Sequence, residues 1–543
     1  MLCYGCITRL LPTVFGQRPT VHVSDLHAGP GLAVERRVVV LTVGNLSEDA
    51  LALMPTLRAL RYQGAYGSLQ PGAYAATQPS WTTLVSGAGP AMNGSALVAD
   101  WPGPLPADDL VSAARRAGRR VTVCGYGASA LGDDAHVAQA LEALAEDPPD
   151  LLWLQLADPG VPPVGAGSRD VLLGPLTHLD AQISALLEAI DLEQGCLIVA
   201  SVTTPEGLVG DDGPFPLVLV GSGIYSGPLG AVEQTAFAPT VAALLGVAPP
   251  ALCEGDALLT ALTLDDAQRA AWLLLQARQR ASLAEAWLAA REAPALGAQV
   301  STDIEVGTAC LQAGNVPGAG QLARFALNAA RGAIDTAAEA RLASDRLYRM
   351  PLALLLVLLP LLWWASRRIH LRWYLLACAA TVPLVYYGLY QWLGFGCELR
   401  ALADVRSYVR SAAGHMSLAV APGTLLALTG CGSRFWLSKQ RSVRTLSGDL
   451  LAYGLQVCYL ICLPAVVCFA AHGPAIGRHV PSAQALCVHV TSLLHGLLAA
   501  IGLTVLSWLV LLLALPAAAA RRQGTIERLN VLEVSDAHRR YRQ

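Results

Sequence analysis

The sequence predicts an α/β domain with a mostly parallel sheet and helices on both faces, followed by an α-helical stalk and about five transmembrane α-helices. Strand-like apolar runs alternate with helical patterns in the first half of the 543-residue chain, as in a parallel sheet. Long apolar runs fill the last third, and only 14% of residues are charged, which is low for a soluble protein. We divide the chain into an N-terminal segment (1–35), the α/β domain (36–262), the stalk (263–349), a transmembrane domain (350–517) and a basic tail (518–543).

The predicted strands are apolar runs of the type found in buried strands. They lie at 37–43, 120–126, 150–156, 196–201 and 216–221. Helical patterns separate them, at 108–117, 135–145 and 172–190. Because binding sites of such sheets form at the carboxyl ends of the strands, functional residues are expected there.

Several short motifs occur in a fixed order across this domain. They are M-P-T-L-x-x-L at Met54–Leu60, T-x-P-S-x-T-x-L-x-S-G at Thr77–Gly87, L-D-x-x-I at Leu179–Ile183, P-L-V-L-V-G-x-G-I at Pro216–Ile224 and A-P-T-V-A-A-L-L-G at Ala238–Gly246. In this order they resemble the type I phosphodiesterase/nucleotide pyrophosphatase branch of the alkaline phosphatase superfamily. The resemblance covers roughly residues 37–262 and does not extend to the apolar last third.

The resemblance implies a catalytic centre in which Asp and His residues hold two divalent metal ions, which activate a Ser or Thr hydroxyl. A zinc site uses three or four protein ligands. The positions that match the family's metal ligands are Gly44, Asp158, Pro162, Val202 and Thr203. Asp158 is the only one that keeps the family's ligand. The family's last histidine falls within 207–213, where Asp211 and Asp212 occur but no histidine does.

Thr77 stands at the family's nucleophile position, ahead of Pro79, where a helix N-terminus would present its amides to a phosphate. Without a metal ion or a neighbouring base its hydroxyl stays protonated and is a weak nucleophile. The structural alternative, which we favour, is that Thr77 caps the helix and that Asp158 is a turn carboxylate at a strand end. We therefore expect no cofactor. Two zinc ions are expected only if the domain is an active enzyme.

Five apolar segments predict membrane helices, because a bilayer core of about 30 Å requires about 20 apolar residues per helix. They are 351–366, 373–395, 416–437, 449–471 and 487–515. Basic residues cluster in 367–372, in 439–444 and after 521, on alternate connections. By the positive-inside rule these connections are cytoplasmic, so the α/β domain is expected outside the plasma membrane and the C-terminus inside.

Export of the α/β domain conflicts with the start of the sequence. Residues 1–16 form a poor export signal, because the segment is short and contains Arg9. Three explanations stay open: a wrongly assigned start, export of the domain by the first membrane helix, or a cytosolic domain that breaks the charge rule. Lys439 is the only lysine among 37 basic residues, a bias that suggests a bacterial genome rich in G and C.

Composition also restricts the partners. The net charge of −3 gives no reason to expect a nucleic acid, and the 13 cysteines lack the spacing of a disulfide framework. The lipid bilayer and other subunits of a membrane complex are the expected partners. The stalk pattern is explained by helices packing on each other or by a partner-binding face. His489 and His495, in or near the last span, are candidate ligands of a membrane cofactor, but their spacing does not predict a paired site.

Two functions follow from these features. In the first, the protein is a membrane-anchored, catalytically inactive phosphodiesterase-like protein with a structural, assembly or ligand-binding role in a membrane complex. In the second, it is an active metal-dependent phosphodiesterase or phosphotransferase that acts on lipid-linked or envelope phosphate esters. The state of the metal site distinguishes them.

Overall fold

The computed structural model describes most of the chain in two compact units, and the described residues divide between them at Ala343 and Ser344. The described residues are 37–44, 46, 48–70, 77–93, 108–125, 132–156, 169–202, 215–366, 373–393, 405–437, 443–472, 495–499, 501–503, 505–506, 508–509 and 512.

A seven-stranded mixed sheet forms the centre of the first unit. Its strands are β1 (Arg37–Gly44), β2 (Ala65–Gln70), β3 (Val121–Cys124), β4 (Leu151–Leu156), β5 (Gly195–Val202), β6 (Phe215–Gly221) and β7 (Gly227–Glu233). They are ordered β3-β4-β1-β5-β6-β2-β7. Only β6 runs antiparallel to its neighbours, so the other six strands end at the same edge of the sheet.

Helices cover both faces of this sheet, as the sequence predicts. They are α1 (Pro55–Gln63), α2 (Thr77–Ser86), α3 (Leu110–Arg116), α4 (Asp133–Glu146), α5 (Arg169–Ala189) and α6 (Phe237–Leu245). Alternate residues of β1 point to opposite faces. Val38 and Val40 pack in the core that contains α2, α3 and α6, whereas Val39 and Leu41 pack in the core that contains α1, α4 and α5.

Two strands and one strand direction differ from the sequence prediction. The strands β2 and β7 were not predicted, because A-Y-G-S-L-Q and G-P-L-G-A-V-E lack a continuous apolar run. The strand β7 is an edge strand, and most of its residues are at least partly exposed, so burial imposes little pattern on it. The antiparallel direction of β6 follows from its pairing with β2 and β5. No residue pattern within β6 itself indicates this direction.

The stalk begins as three consecutive helices. They are α7 (Asp266–Ala289), α8 (Ala298–Gln312) and α9 (Val316–Ser366). A capping box starts α7, in which the Asp265 carboxylate accepts the Gln268 amide and the Gln268 side chain accepts the Asp265 amide. The division between the two units falls within α9. Three further helices of the second unit follow: α10 (Trp373–Leu393), α11 (Val405–Leu437) and α12 (Val443–His472).

The expectation of five membrane helices is not supported by the described residues. Two helices are long and apolar enough to cross a membrane, within Met416–Leu437 and Thr445–Pro464. The apolar stretches Met350–Leu362 and Trp373–Tyr386 are shorter than the about 20 residues that a bilayer core requires. Much of the fifth predicted span, 487–515, lies outside the described residues.

Candidate functional site

The candidate site lies where β1 and β5 end side by side. Gly44 and Val202, which the sequence resemblance assigns to two metal-ligand positions, are the last residues of these parallel strands and are register partners. The structure therefore brings two predicted site positions together. Glycine has no side chain and valine has no donor atom, so neither side chain can bind a metal ion. Val202 is 2% exposed.

Apolar packing and one hydrogen bond join these two strand ends. The Leu46 amide, just after β1, donates to Ser201 Oγ at 2.9 Å. Val43, Leu46 and Ser201 are all buried. These residues do not fit a metal ion, since they contribute aliphatic groups and one hydroxyl that is already hydrogen-bonded. No group of three or more His, Cys, Asp or Glu side chains suited to a metal occurs within the part of the chain that the structure describes.

Of the remaining predicted site residues, the structure describes only the backbone of Thr77. Thr77 is the first residue of α2, but its side chain lies outside the description, so both its capping role and its nucleophilic role stay predictions. Asp158, Pro162 and Thr203 lie outside the described residues. The same holds for Asp211 and Asp212.

An aromatic cluster anchors α2 against the sheet. Trp81 of α2 contacts Trp153 of β4 edge-on, with ring centroids 5.1 Å apart, and Trp153 in turn contacts Phe237 of α6 at 5.9 Å. Trp153 Nε1 donates to Thr42 Oγ1 of β1 at 3.3 Å. Because a buried tryptophan needs a partner for its N–H, this contact fixes the ring that supports α2.

The end of the T-x-P-S motif has a structural explanation. Ser86 Oγ donates to the Thr82 carbonyl at 2.5 Å and accepts the Ala88 amide at 3.2 Å, closing the turn after α2. Gly87 has φ +66°, and a Cβ there would lie 2.7 Å from Cys253 Sγ, so both conformation and space favour glycine. Asn93 Nδ2 donates to the Ala88 carbonyl at 2.7 Å. These contacts shape the turn that follows α2.

Asp180 of the L-D-x-x-I motif also has a structural role that the sequence did not indicate. Its two carboxylate oxygens accept the amides of Thr56 and Leu57, each at 3.0 Å. These amides lie in the first turn of α1, where backbone donors lack partners within the helix and a negative charge is favourable. Two motifs, 54–60 and 179–183, are therefore halves of one helix-capping contact.

Two polar groups near the sheet were missed by sequence reasoning. In one, Glu48 forms an ion pair with Arg61 at 3.5 Å, and the Arg61 guanidinium lies 4.6 Å from the Tyr66 ring centre. In the other, the Asp134 carboxylate accepts from His178 Nε2 at 2.6 Å, and this hydrogen bond lowers the pKa of Asp134. Asp134 and His178 are 44 positions apart, and Glu48 and Arg61 do not share a helix, so no local pattern marks either pair.

His495 is fully buried in the second unit and forms a short hydrogen bond through Nδ1 with the Tyr386 hydroxyl. The two rings meet edge-on at 4.6 Å. His489 lies outside the described residues. A tyrosine partner for His495 gives the predicted cofactor role no added support.

Comparison with solved structures finds several proteins that are similar to part of this chain. A murine ectonucleotide pyrophosphatase/phosphodiesterase 5, solved as an inactive variant in complex with AMP, is 13% identical, with a TM-score of 0.34 over 40% of this chain and 96% of that one. An alkaline phosphatase superfamily protein from Vibrio parahaemolyticus is 12% identical, with a TM-score of 0.32 over 49% and 80%. The phosphonate monoester hydrolase of Silicibacter pomeroyi is 14% identical, with a TM-score of 0.32 over 42% and 76%.

These structures belong to the alkaline phosphatase superfamily. No model of a known protein family matches the sequence, and no curated protein sequence matches it significantly.

Proposed function

We propose that the protein is a membrane-anchored phosphodiesterase-like protein that does not hydrolyse phosphate esters. Its α/β domain would serve a structural, assembly or ligand-binding role in a membrane complex. The observation that supports this most directly is the register pair Gly44–Val202 at the ends of β1 and β5. Two neighbouring metal-ligand positions have no donor atom, and the space beside them contains buried apolar groups.

The chemical reason is the dependence of this reaction type on its ions. Two metal ions would lower the pKa of the attacking hydroxyl, bind the phosphoryl oxygens and stabilise the leaving oxygen. Without them a threonine hydroxyl remains protonated at neutral pH. Clustered carboxylates also repel each other when no cation is present, so loss of the ions favours residues such as Gly44 and Val202 that let the strand ends pack.

The membrane anchor is the second part of the proposal. In α9 the leucines between Leu352 and Leu362 are exposed around the helix, several by more than half of their surface. An exposed apolar surface of this extent is unfavourable in water, whereas lipid chains would cover it. Together with the two longer apolar helices, this supports a multi-pass plasma-membrane protein. The basic connections favour an extracytoplasmic α/β domain and a cytoplasmic C-terminus.

The alternative function is an active metal-dependent phosphodiesterase or phosphotransferase. It is favoured by the position of Thr77 at the start of α2, where a nucleophile of this family would stand. Asp158 would have to act with ligands other than Gly44, Pro162 and Val202, whose side chains carry no metal donor.

A hydrolysis assay separates the two functions. The full-length protein in mild detergent would be incubated with an aryl phosphodiester, with and without added zinc or manganese. Thr77→Ala tests the nucleophile position, and Thr302→Ala, which changes an exposed threonine of α8, is the matched control. We expect no turnover above background in any of the three proteins. Metal-dependent turnover that is lost in Thr77→Ala and kept in Thr302→Ala would establish the enzyme.

A further inference from the structure

The turn after α2, residues 87–93, includes the short helix Pro90–Asn93 and is hydrogen-bonded to the segment 253–256. The amides of Glu254 and Gly255 donate to the Gly87 carbonyl at 2.8 and 3.1 Å. In return the Gly89 amide donates to Glu254 Oε2 at 2.9 Å. Both the backbone of the segment 253–256 and the Glu254 side chain therefore hold the end of α2.

The helix α7 contacts the same segment from another side through buried polar side chains. Gln276 Nε2 donates to the Gly255 carbonyl at 2.7 Å, and Arg280 Nη2 donates to the same oxygen at 3.2 Å. Gln279 Nε2 donates to the carbonyls of Ala251 and Cys253 at 2.7 and 3.1 Å. Arg280 is only 2% exposed, and burial lowers its pKa. A buried guanidinium is costly unless it is hydrogen-bonded, so these contacts hold α7 and the segment in one register.

The helix α9 adds a third attachment. Arg331 Nη2 lies 2.9 Å from Asp256 Oδ2 and 3.4 Å from the Glu254 carbonyl oxygen. Arg280 lies 3.8 Å from the other oxygen of Asp256. The Asp256 carboxylate therefore joins Arg280 of α7 to Arg331 of α9. It lies two positions after Glu254, whose side chain holds the turn.

Apolar packing follows the same arrangement. Ala88 and Met92 of the turn share a buried cluster with Leu283 and Trp287 of α7. Partly buried residues of α9, including Ile334, pack against this cluster. The turn therefore touches the stalk both through hydrogen bonds and through its apolar side chains.

We propose that residues 87–93 and 253–256 form a joint through which the stalk helices α7 and α9 set the position of α2. The helix α2 has ten residues and is a rigid rod of about 15 Å, with Thr77 at the end opposite the joint. A displacement of α9 would act on Arg331 and Asp256, then on Glu254 and the turn, and so move α2, which begins at Thr77. The proposal needs neither hydrolysis nor a bound metal.

Hydrogen exchange of the full-length protein in mild detergent, read by mass spectrometry, tests the joint. Arg331→Ala removes the polar attachment from α9 and leaves the apolar packing of Ile334 in place. Glu254→Ala removes the acceptor of the Gly89 amide. Losing one such hydrogen bond is expected to speed amide exchange in residues 81–93 about fivefold in each variant. Arg278→Ala is the matched control, because it breaks a stalk contact between α7 and Thr308 of α8 without touching the joint. It should leave exchange in 81–93 unchanged.

The decisive result is whether Arg331→Ala changes amide exchange in residues 81–93. If this variant speeds exchange only in residues 316–343 and leaves 81–93 unchanged, α9 does not act on α2 and the proposal is wrong. Should Glu254→Ala fail to fold, Glu254→Gln supplies the second comparison, since it keeps an acceptor for the Gly89 amide. Exchange in 81–93 should then stay close to that of the parent, and a fivefold rise would contradict the assigned role of the carboxylate oxygen.

Discussion

At the scale of single residues, the side chains at the strand ends limit the chemistry of the domain. Gly44 and Val202, which the sequence resemblance assigns to metal-ligand positions, are register partners at the ends of β1 and β5. The Ser201 hydroxyl beside them already accepts a hydrogen bond from the Leu46 amide. The sequence could assign these positions through the resemblance alone. It could not indicate that the strand ends would close on each other, because Leu46 and Ser201 are distant in the chain.

The stability of the fold is expected to depend on pH through Glu254. Burial raises its pKa above the ordinary 4.5, outweighing the Gly89 hydrogen bond and the nearby Arg280 and Arg331, which lower it. The folded protein therefore holds this proton more tightly than the unfolded chain. The resulting stabilisation is complete below about pH 4.5 and is lost as the pH rises through the folded-state pKa.

Glu254→Gln removes the charge and keeps a hydrogen-bond acceptor. We expect its melting temperature to rise relative to that of the parent as the pH increases from about 4 to about 7. Parallel thermal denaturation of the two proteins across this range is the measurement. A difference that is constant with pH, or that shrinks towards neutrality, would show that the charge of Glu254 is not disfavoured in the fold.

At the scale of elements, the helix α1 depends on an acid contributed by α5. Asp180 is 5% exposed and accepts the amides of Thr56 and Leu57. Removing such an acceptor leaves two donors without a partner in a partly buried site. We expect Asp180→Ala to lower the free energy of unfolding by about 1–3 kcal/mol.

The control for this prediction is Asp191→Ala, which removes an exposed carboxylate that accepts the Glu193 amide. Water can replace that partner, so the loss should stay below about 0.5 kcal/mol. Chemical denaturation of the full chain, followed by circular dichroism, gives both values. Equal losses in the two variants would mean that Asp180 does not stabilise α1.

Elements with a strong local pattern were predictable and elements defined by pairing were not. Strands β1, β4, β5 and β6 are apolar runs whose burial is visible in the sequence. Strands β2 and β7 pair with each other beside β6, and little in their composition distinguishes them from loops. The same reason explains why the motifs at 54–60 and 179–183 were each recognised while the contact between them through Asp180 was not.

At the scale of the whole molecule, an α/β unit and a helical unit occur in one chain. The sequence predicts a transmembrane domain that begins at residue 350, because apolar residues concentrate in the last third, whereas the two units divide between Ala343 and Ser344. The number of membrane helices was harder to predict, since an apolar run does not reveal where a helix begins and ends. Thus α9 combines stalk residues with the apolar stretch Met350–Leu362 in a single helix.

The most direct test of the central claim is the metal content of the intact protein. The full chain would be purified in mild detergent without a polyhistidine tag, incubated with zinc, dialysed and measured by elemental analysis beside Thr77→Ala. We expect far less than one retained ion per chain in both proteins, because Gly44 and Val202 supply no ligand. Retention of about two ions per chain, the number that a two-metal phosphodiesterase requires, would contradict the account.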